Sequence, residues 1–158
     1  MQTKTTSENQ DFIKLVELLD ADLKIRDGEE HEFYAQINQT AILKNVVVLF
    51  NNDMPAGCGA FRIIDDHTIE IKRMFVLPEF RGQGFAIKIL SELENWASEL
   101  NYSKAILETG INQPEAIALY KKTGYNITEN YGQYLEMQNS ICMSKILKIN
   151  QKNETIPN

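Results

Sequence analysis

The residues Arg81 to Ala86 read Arg-Gly-Gln-Gly-Phe-Ala and stand where a short apolar run, Phe75 to Leu77, passes into a helical pattern. A helix that begins near Gln83 or Gly84 leaves amide N–H groups without intrahelical acceptors, and the aligned peptide dipoles put partial positive charge at its first turn. Such a turn holds an anion. Glycines at 82 and 84 let the backbone approach that anion with no Cβ in between, Ala86 keeps the first turn small, and Arg81 adds a permanent cation with several donors. The natural guest is a phosphate or pyrophosphate.

Two common phosphate motifs do not fit. The glycine stretch lacks the third glycine of the dinucleotide fingerprint, and the antiparallel strand pattern before it is not the βαβ setting which that fingerprint requires. No G-x-x-x-x-G-K-[ST] sequence occurs. A formal charge of −6 and a pI near 5.0 argue against general nucleic-acid binding, so any positive potential is local. Cys58, Cys142, His31 and His67 are scattered, short of the roughly four clustered ligands of a structural zinc site, and no metal is expected. The cysteines read as buried thiols in strands. Burial raises a thiol pKa, which argues against Cys142 as an acyl carrier.

The elements that must position this turn follow from hydrophobic spacing. Phe12, Leu15, Val16, Leu19 and Leu23 mark a helix over Asp11 to Asp27, ended by Gly28, with a shorter helix over Glu29 to Asn38. Three strand runs follow at Lys44 to Phe50, Ala56 to Ile64 and Thr68 to Leu77, an antiparallel meander. Gly84 to Leu100 is helical, with Ala86, Ile89, Leu90, Leu93, Ala97 and Leu100 on one face. Lys104 to Thr109 is a buried strand. Pro114 opens a helix that stops at Gly124, and strands around Tyr125 to Thr128 and Ser140 to Ile149 close the pattern. The expected fold is α+β, a single mixed and mostly antiparallel sheet flanked by helices. One domain over residues 1–149 accounts for the pattern, followed by a polar tail at 150–158 that frays. Met1 to Asp11 is polar, and no run approaches ~20 consecutive apolar residues. The expectation is a cytoplasmic protein without a membrane span.

The run Thr68 to Leu77 changes phase. Ile69 and Ile71 are apolar at odd positions and Met74 and Val76 at even ones, with Lys72 and Arg73 between. Because side chains alternate faces, this predicts an inserted residue, a β-bulge near Arg73; the alternative is an unbroken odd phase through Phe75 and Leu77.

The turn resembles the (R/Q)-x-x-G-x-(G/A) signature of the Gcn5-related N-acetyltransferases (GNAT). The likeness extends back through Glu70-Ile71-Lys72-Arg73-Met74-Phe75-Val76-Leu77-Pro78 and forward to Tyr125. The resemblance implies that amides of Arg81, Gly82, Gln83, Gly84, Phe85 and Ala86 bind the pyrophosphate of acetyl-CoA. It also implies that the pantetheine arm lies along the bulged strand at Met74, Phe75 and Val76, where a backbone N–H polarises the thioester carbonyl. Tyr120 matches the tyrosine of the family's LY-x-x-x-G(F/Y) segment, which faces the sulfur. A free phenol has a pKa of about 10 against about 8.5 for a thiol, so full proton transfer is uphill by roughly 2 kcal/mol, and a hydrogen bond to the leaving thiolate is the better role. Glu70 matches a position where relatives carry a glutamate that takes the amine proton; it could equally form a sheet-face ion pair with Lys72. Glu108 competes for the base role. Gln113 stands where the family pattern has asparagine, with Asn112 one residue earlier and Pro114 next, and its amide could still reach the CoA arm.

These readings together predict an acetyl-CoA-dependent N-acetyltransferase in which a primary amine attacks the thioester directly in a ternary complex. The acceptor is expected to be a small amine or amino-acid-like molecule rather than a protein. Asp20 to Tyr34 and the segment holding Tyr131 and Tyr134 are expected to wall its site, or to be a solvated acidic helix and an exposed turn. Members of the family are often dimers, although no interface signature is legible. The alternative is a non-catalytic acyl-CoA sensor or interaction module.

Overall fold

A computed structural model describes residues 1–27 and 42–148. The sheet has seven strands: β1 (Gln2–Thr5), β2 (Asn45–Asn51), β3 (Met54–Ile63), β4 (Thr68–Val76), β5 (Lys104–Gly110), β6 (Asn126–Thr128) and β7 (Ser140–Ile146). Among the described residues three α-helices flank it: α1 (Gln10–Asp27), α2 (Phe85–Glu99) and α3 (Pro114–Lys122). The spatial order is β1-β2-β3-β4-β5-β7-β6, and every neighbouring pair is antiparallel except β4 with β5. This is the mixed, mostly antiparallel α+β sheet expected from the sequence. The expected helix at Glu29 to Asn38 and the polar tail lie outside the described residues.

One strand was not legible. Gln2–Thr5 was read as part of a polar lead-in, but it forms the edge strand β1, with Gln2 opposite Leu49 and Thr5 opposite Val46. Its pairing comes from backbone groups and needs no apolar alternation, so hydrophobic periodicity gives no signal for it. The last strand is shorter than its apolar run and ends at Ile146. Helix α1 starts where Asn9 Oδ1 accepts the Phe12 amide at 3.0 Å, a side-chain cap on its first turn.

Strand β2 explains why the sheet is buried on both faces. Val47 and Leu49 enter a core with Ile89, Leu90 and Leu93 of α2, while Val46 and Val48 enter a second core with Phe12, Leu15 and Leu19 of α1. A continuous apolar run is the expected pattern for a strand covered on both sides. Helix α2 lies close on β3 at Gly59, where a Cβ would come within 2.5 Å of Met74 Sδ and 2.8 Å of Ile89 Cγ2. Gly59→Leu is therefore expected to cost about 3 kcal/mol or more through overpacking, read as a lower urea midpoint with an unchanged slope.

The phase change in β4 is a bulge. Cys58 pairs with Phe75 but Ala60 pairs with Lys72, so two steps along β3 match three along β4. Arg73 takes the extra position with a φ of 60°, an uncommon region for a residue with a side chain. Below the bulge Ile69 and Ile71 face the α2 core; above it Val76 does, and Phe75 and Leu77 face α1. The alternative of an unbroken phase is excluded.

Among the described residues no helix is long and apolar enough to cross a membrane.

Candidate active site

The bulge and a short seam create the site. Strands β4 and β5 pair only over Thr68 to Glu70 against Lys104 to Ile106. Beyond that point β4 turns at the bulge, and the two strands no longer share a ladder. The bulge is held from α1: Arg73 Nη1 donates to Asp20 Oδ1 at 2.7 Å, with the Arg73 side chain 8% exposed, and the Cys58 thiol donates to the Arg73 carbonyl at 3.4 Å. Asp20→Ala would leave that guanidinium buried without its carboxylate. The expected loss is about 1–3 kcal/mol, measurable by urea denaturation.

A cleft of about 420 Å³ opens beside the upper half of β4, lined by Met74, Phe75, Val76, Arg81, Gly82, Gly84, Phe85, Ala86, Gln113 and Tyr120, among others. Its floor at one end is the glycine turn. Gly82 and Gly84 have φ of 77° and 82°, conformations that glycine adopts without strain. Gly84 is the N-cap of α2, and no side chain caps that end, so the first-turn amides lack a side-chain acceptor. Arg81 does not simply reach outward: its Nε donates to the Val76 carbonyl at 2.9 Å, and the guanidinium lies 5.5 Å from the Phe75 ring centre. It thereby ties the turn to the end of β4. Gln83 is not among the lining residues; its amide lies 3.4 Å from the Glu79 carbonyl.

A smaller recess of about 110 Å³ adjoins the cleft. It shares Leu19, Met74, Gln113, Ala116 and Tyr120 with it and adds Lys72, Arg73, Glu108 and Thr109. Tyr120, on α3, is thus at the junction. Its residue is 6% exposed, its ring packs edge-on to Tyr125 with centres 5.7 Å apart, and its hydroxyl has no hydrogen-bond partner among the described residues. Burial, and then the charge of Glu108, push the phenol above its ordinary pKa, so it remains a protonated donor at neutral pH. A buried donor without a partner is costly, and one that faces a hollow is a place for a ligand acceptor.

The helix that carries Tyr120 is fixed at both ends. Asn112 Nδ2 donates to the Arg26 carbonyl at 3.1 Å, and Arg26 pairs with Glu115. Asn112 thus ties α3 to α1, while Gln113 lines the cleft. At the far end Tyr125 donates to Glu94 of α2 at 2.9 Å, and Lys145 donates to the same carboxylate at 2.7 Å and to the Thr123 carbonyl at 2.8 Å.

Glu70 is placed differently from the other expected residues. It is wholly buried and lines neither hollow. Arg62 Nε donates to its Oε1 at 2.7 Å and the Tyr131 hydroxyl to its Oε2 at 2.5 Å, while Lys72 Nζ stands at 3.8 Å. These contacts match the ion-pair reading, with Arg62 rather than Lys72 as the near partner. Glu108 does line the recess. Tyr134 is no exposed turn residue: it is 2% exposed and stacks edge-on against Tyr131. Cys142 is buried, which raises its pKa, and it lines neither hollow. Lys72 had no expected role at the site, although its place one residue before the bulge was a signal. Among the described residues no group of three or more His, Cys, Asp or Glu could hold a metal.

A family model described as "Acetyltransferase (GNAT) family" matches residues 12–125. The chain is 38% identical over 92 residues to the IAA acetyltransferase of Azospirillum brasilense, a match that covers 58% of this chain and 60% of that protein. Among solved structures, one from Klebsiella pneumoniae subsp. pneumoniae MGH 78578, assigned as an acyl-CoA N-acyltransferase, superposes with a TM-score of 0.79 at 29% identity. That superposition covers 94% of this chain and 97% of the other. A GNAT family acetyltransferase from Elizabethkingia anophelis, solved with acetyl-CoA bound, shares the fold at a TM-score of 0.68 and 21% identity, covering 93% and 97%.

Proposed function

As the chain belongs to the acetyltransferase (GNAT) family, we propose that it transfers the acetyl group of acetyl-CoA to a primary amine, by direct attack within a ternary complex. The observation that carries this reading is the buried Tyr120, whose hydroxyl has no hydrogen-bond partner among the described residues, at the junction of the cleft and the small recess. The residues present fit the cosubstrate: the uncapped start of α2 offers amides to a pyrophosphate, and Met74, Phe75 and Val76 offer a strand edge freed by the bulge for the extended arm. When bound, acetyl-CoA supplies an acetyl thioester, whose C–S bond breaks as the amine nitrogen forms the new C–N bond, giving an acetamide and the CoA thiolate, which becomes the thiol by taking up the proton that the amine releases.

The chain's own groups divide the work. A β4 backbone N–H near the bulge stabilises the negative charge that builds on the carbonyl oxygen. The Tyr120 hydroxyl donates to the departing sulfur, and its raised pKa suits a hydrogen-bond donor better than a proton source. Glu108 lines the recess, and in this reading it takes the amine proton, directly or through water, while Glu70 anchors Arg62 and Tyr131. Gln113 and Lys122 line the cofactor side.

The reading is tested by thermal shift with acetyl-CoA, CoA, ATP and NAD in parallel, followed by thiol release with a panel of amines. Stabilisation by the two CoA species alone, with amine-dependent thiol release, is the expected result. Stabilisation without release for any amine would favour the non-catalytic acyl-CoA sensor, and no stabilisation would remove both.

A further inference from the structure

The recess carries a cation that the acetyl-transfer reading does not use. Lys72 is on β4 directly before the bulge, and its side chain is 9% exposed. It lines the recess with Glu108 and Tyr120. Its ammonium makes no hydrogen bond to any described residue, and its nearest carboxylate oxygen, Glu70 Oε1 at 3.8 Å, already accepts from Arg62 at 2.7 Å. The second Glu70 oxygen accepts from Tyr131. The neighbouring cation in the recess, Arg73, is committed to Asp20. Lys72 is therefore a nearly buried charge, with no hydrogen bond to a described residue, at the wall of a small hollow, and a buried ammonium in that state gains from an anionic partner.

We infer that the acceptor is an amine that also carries a carboxylate, an amino acid or a close relative, and that Lys72 is the residue that holds this carboxylate. The inference rests on the acetyl-transfer reading for the identity of the site. The recess has opposed charges to match such a zwitterion, with Lys72 for the carboxylate and Glu108 for the amine. A volume of about 110 Å³ suits a small molecule. Burial lowers the pKa of Lys72 from its ordinary value while Glu70 and Glu108 oppose that shift, and a docked carboxylate would favour the charged form further. An amine without the carboxylate would leave Lys72 as it stands in the empty recess, so discrimination is expected between molecules that differ in that group alone.

The experiment uses the full chain and matched pairs: the twenty amino acids, and simple amines that lack the carboxylate, such as ethylamine for alanine, phenethylamine for phenylalanine and cadaverine for lysine. Binding to CoA-saturated protein is measured by calorimetry, and turnover with acetyl-CoA by thiol release. At least one amino acid is expected to exceed its matched amine by about tenfold or more in affinity and in kcat/KM, with the ratio collapsing toward one in Lys72→Met and returning in Lys72→Arg. The inference is overturned if the matched amines equal or surpass the amino acids, if no amino acid binds, or if the ratio survives in a folded Lys72→Met. Should that variant fail to fold, the wild-type pairs decide alone. Carboxylate-dependent binding without thiol release would sustain Lys72 as the group that holds the carboxylate and defeat the transfer reading; fast release with plain amines alone would sustain the transfer reading and overturn this inference.

Discussion

Tyr120→Phe is expected to bind CoA with nearly unchanged affinity, to turn over about 10- to 100-fold more slowly, and to melt at the same or a higher temperature than the parent. The rate term follows from losing one hydrogen bond to a charged group, about 1.5–3 kcal/mol, at 1.36 kcal/mol for each factor of ten. The stability term has the opposite sign. In the free protein the hydroxyl is buried and makes no hydrogen bond with a described residue, so removing it relieves the cost of an unsatisfied donor, about 1–3 kcal/mol. A residue retained at the expense of stability is the signature of a functional group. Calorimetry with CoA, steady-state thiol release and a melting curve check the three parts separately; unchanged turnover would remove Tyr120 from the mechanism.

Gly84→Val is expected to do the reverse, abolishing CoA binding while leaving a folded chain. The φ of 82° at Gly84 is disfavoured for a β-branched residue and costs about 1–3 kcal/mol as strain. A Cβ at that position meets no atom of a described residue within 4 Å beyond its chain neighbours, so the side chain would not disturb the core. It would instead stand in the open space above the first turn of α2, where a pyrophosphate is expected to sit, and the strain would displace the amides that hold it. Loss of affinity by about 100-fold or more is the expected outcome, since several charge-assisted hydrogen bonds fail together. Equal affinity in the variant would move the pyrophosphate away from this turn.

Much of this was legible in sequence because burial imposes periodicity. The exchange of phase between Ile71 and Met74 predicted the bulge at Arg73, since each half of β4 has a different face against α2. The glycine turn was legible because positive φ and an uncapped helix start restrict residue type. Other features were hidden because their causes are distant or have no pattern. Tyr131 is 61 residues from Glu70 in sequence, and no local spacing shows that its hydroxyl closes that carboxylate. The engagement of Glu70 by Arg62 and Tyr131 depends on which side chains the sheet order brings together. Edge strand β1 is polar and was missed. The tie of Asn112 to the Arg26 carbonyl at the end of α1 likewise spans 86 residues and leaves no local pattern.

The brief seam between β4 and β5 has a consequence for the life of the protein as well as its chemistry. One flank of the sheet, β1 to β4, meets the other, β5 to β7, through three paired residues. A ligand laid along the gap would supply rungs that the sheet lacks and would bind only the folded chain. At a concentration 100 times its dissociation constant it would add about 2.7 kcal/mol to the folding equilibrium, a large fraction of the 5–15 kcal/mol typical of a domain. A chain built this way is expected to resist proteolysis in proportion to the supply of its ligand, so that its abundance would follow the metabolic state that also feeds its reaction.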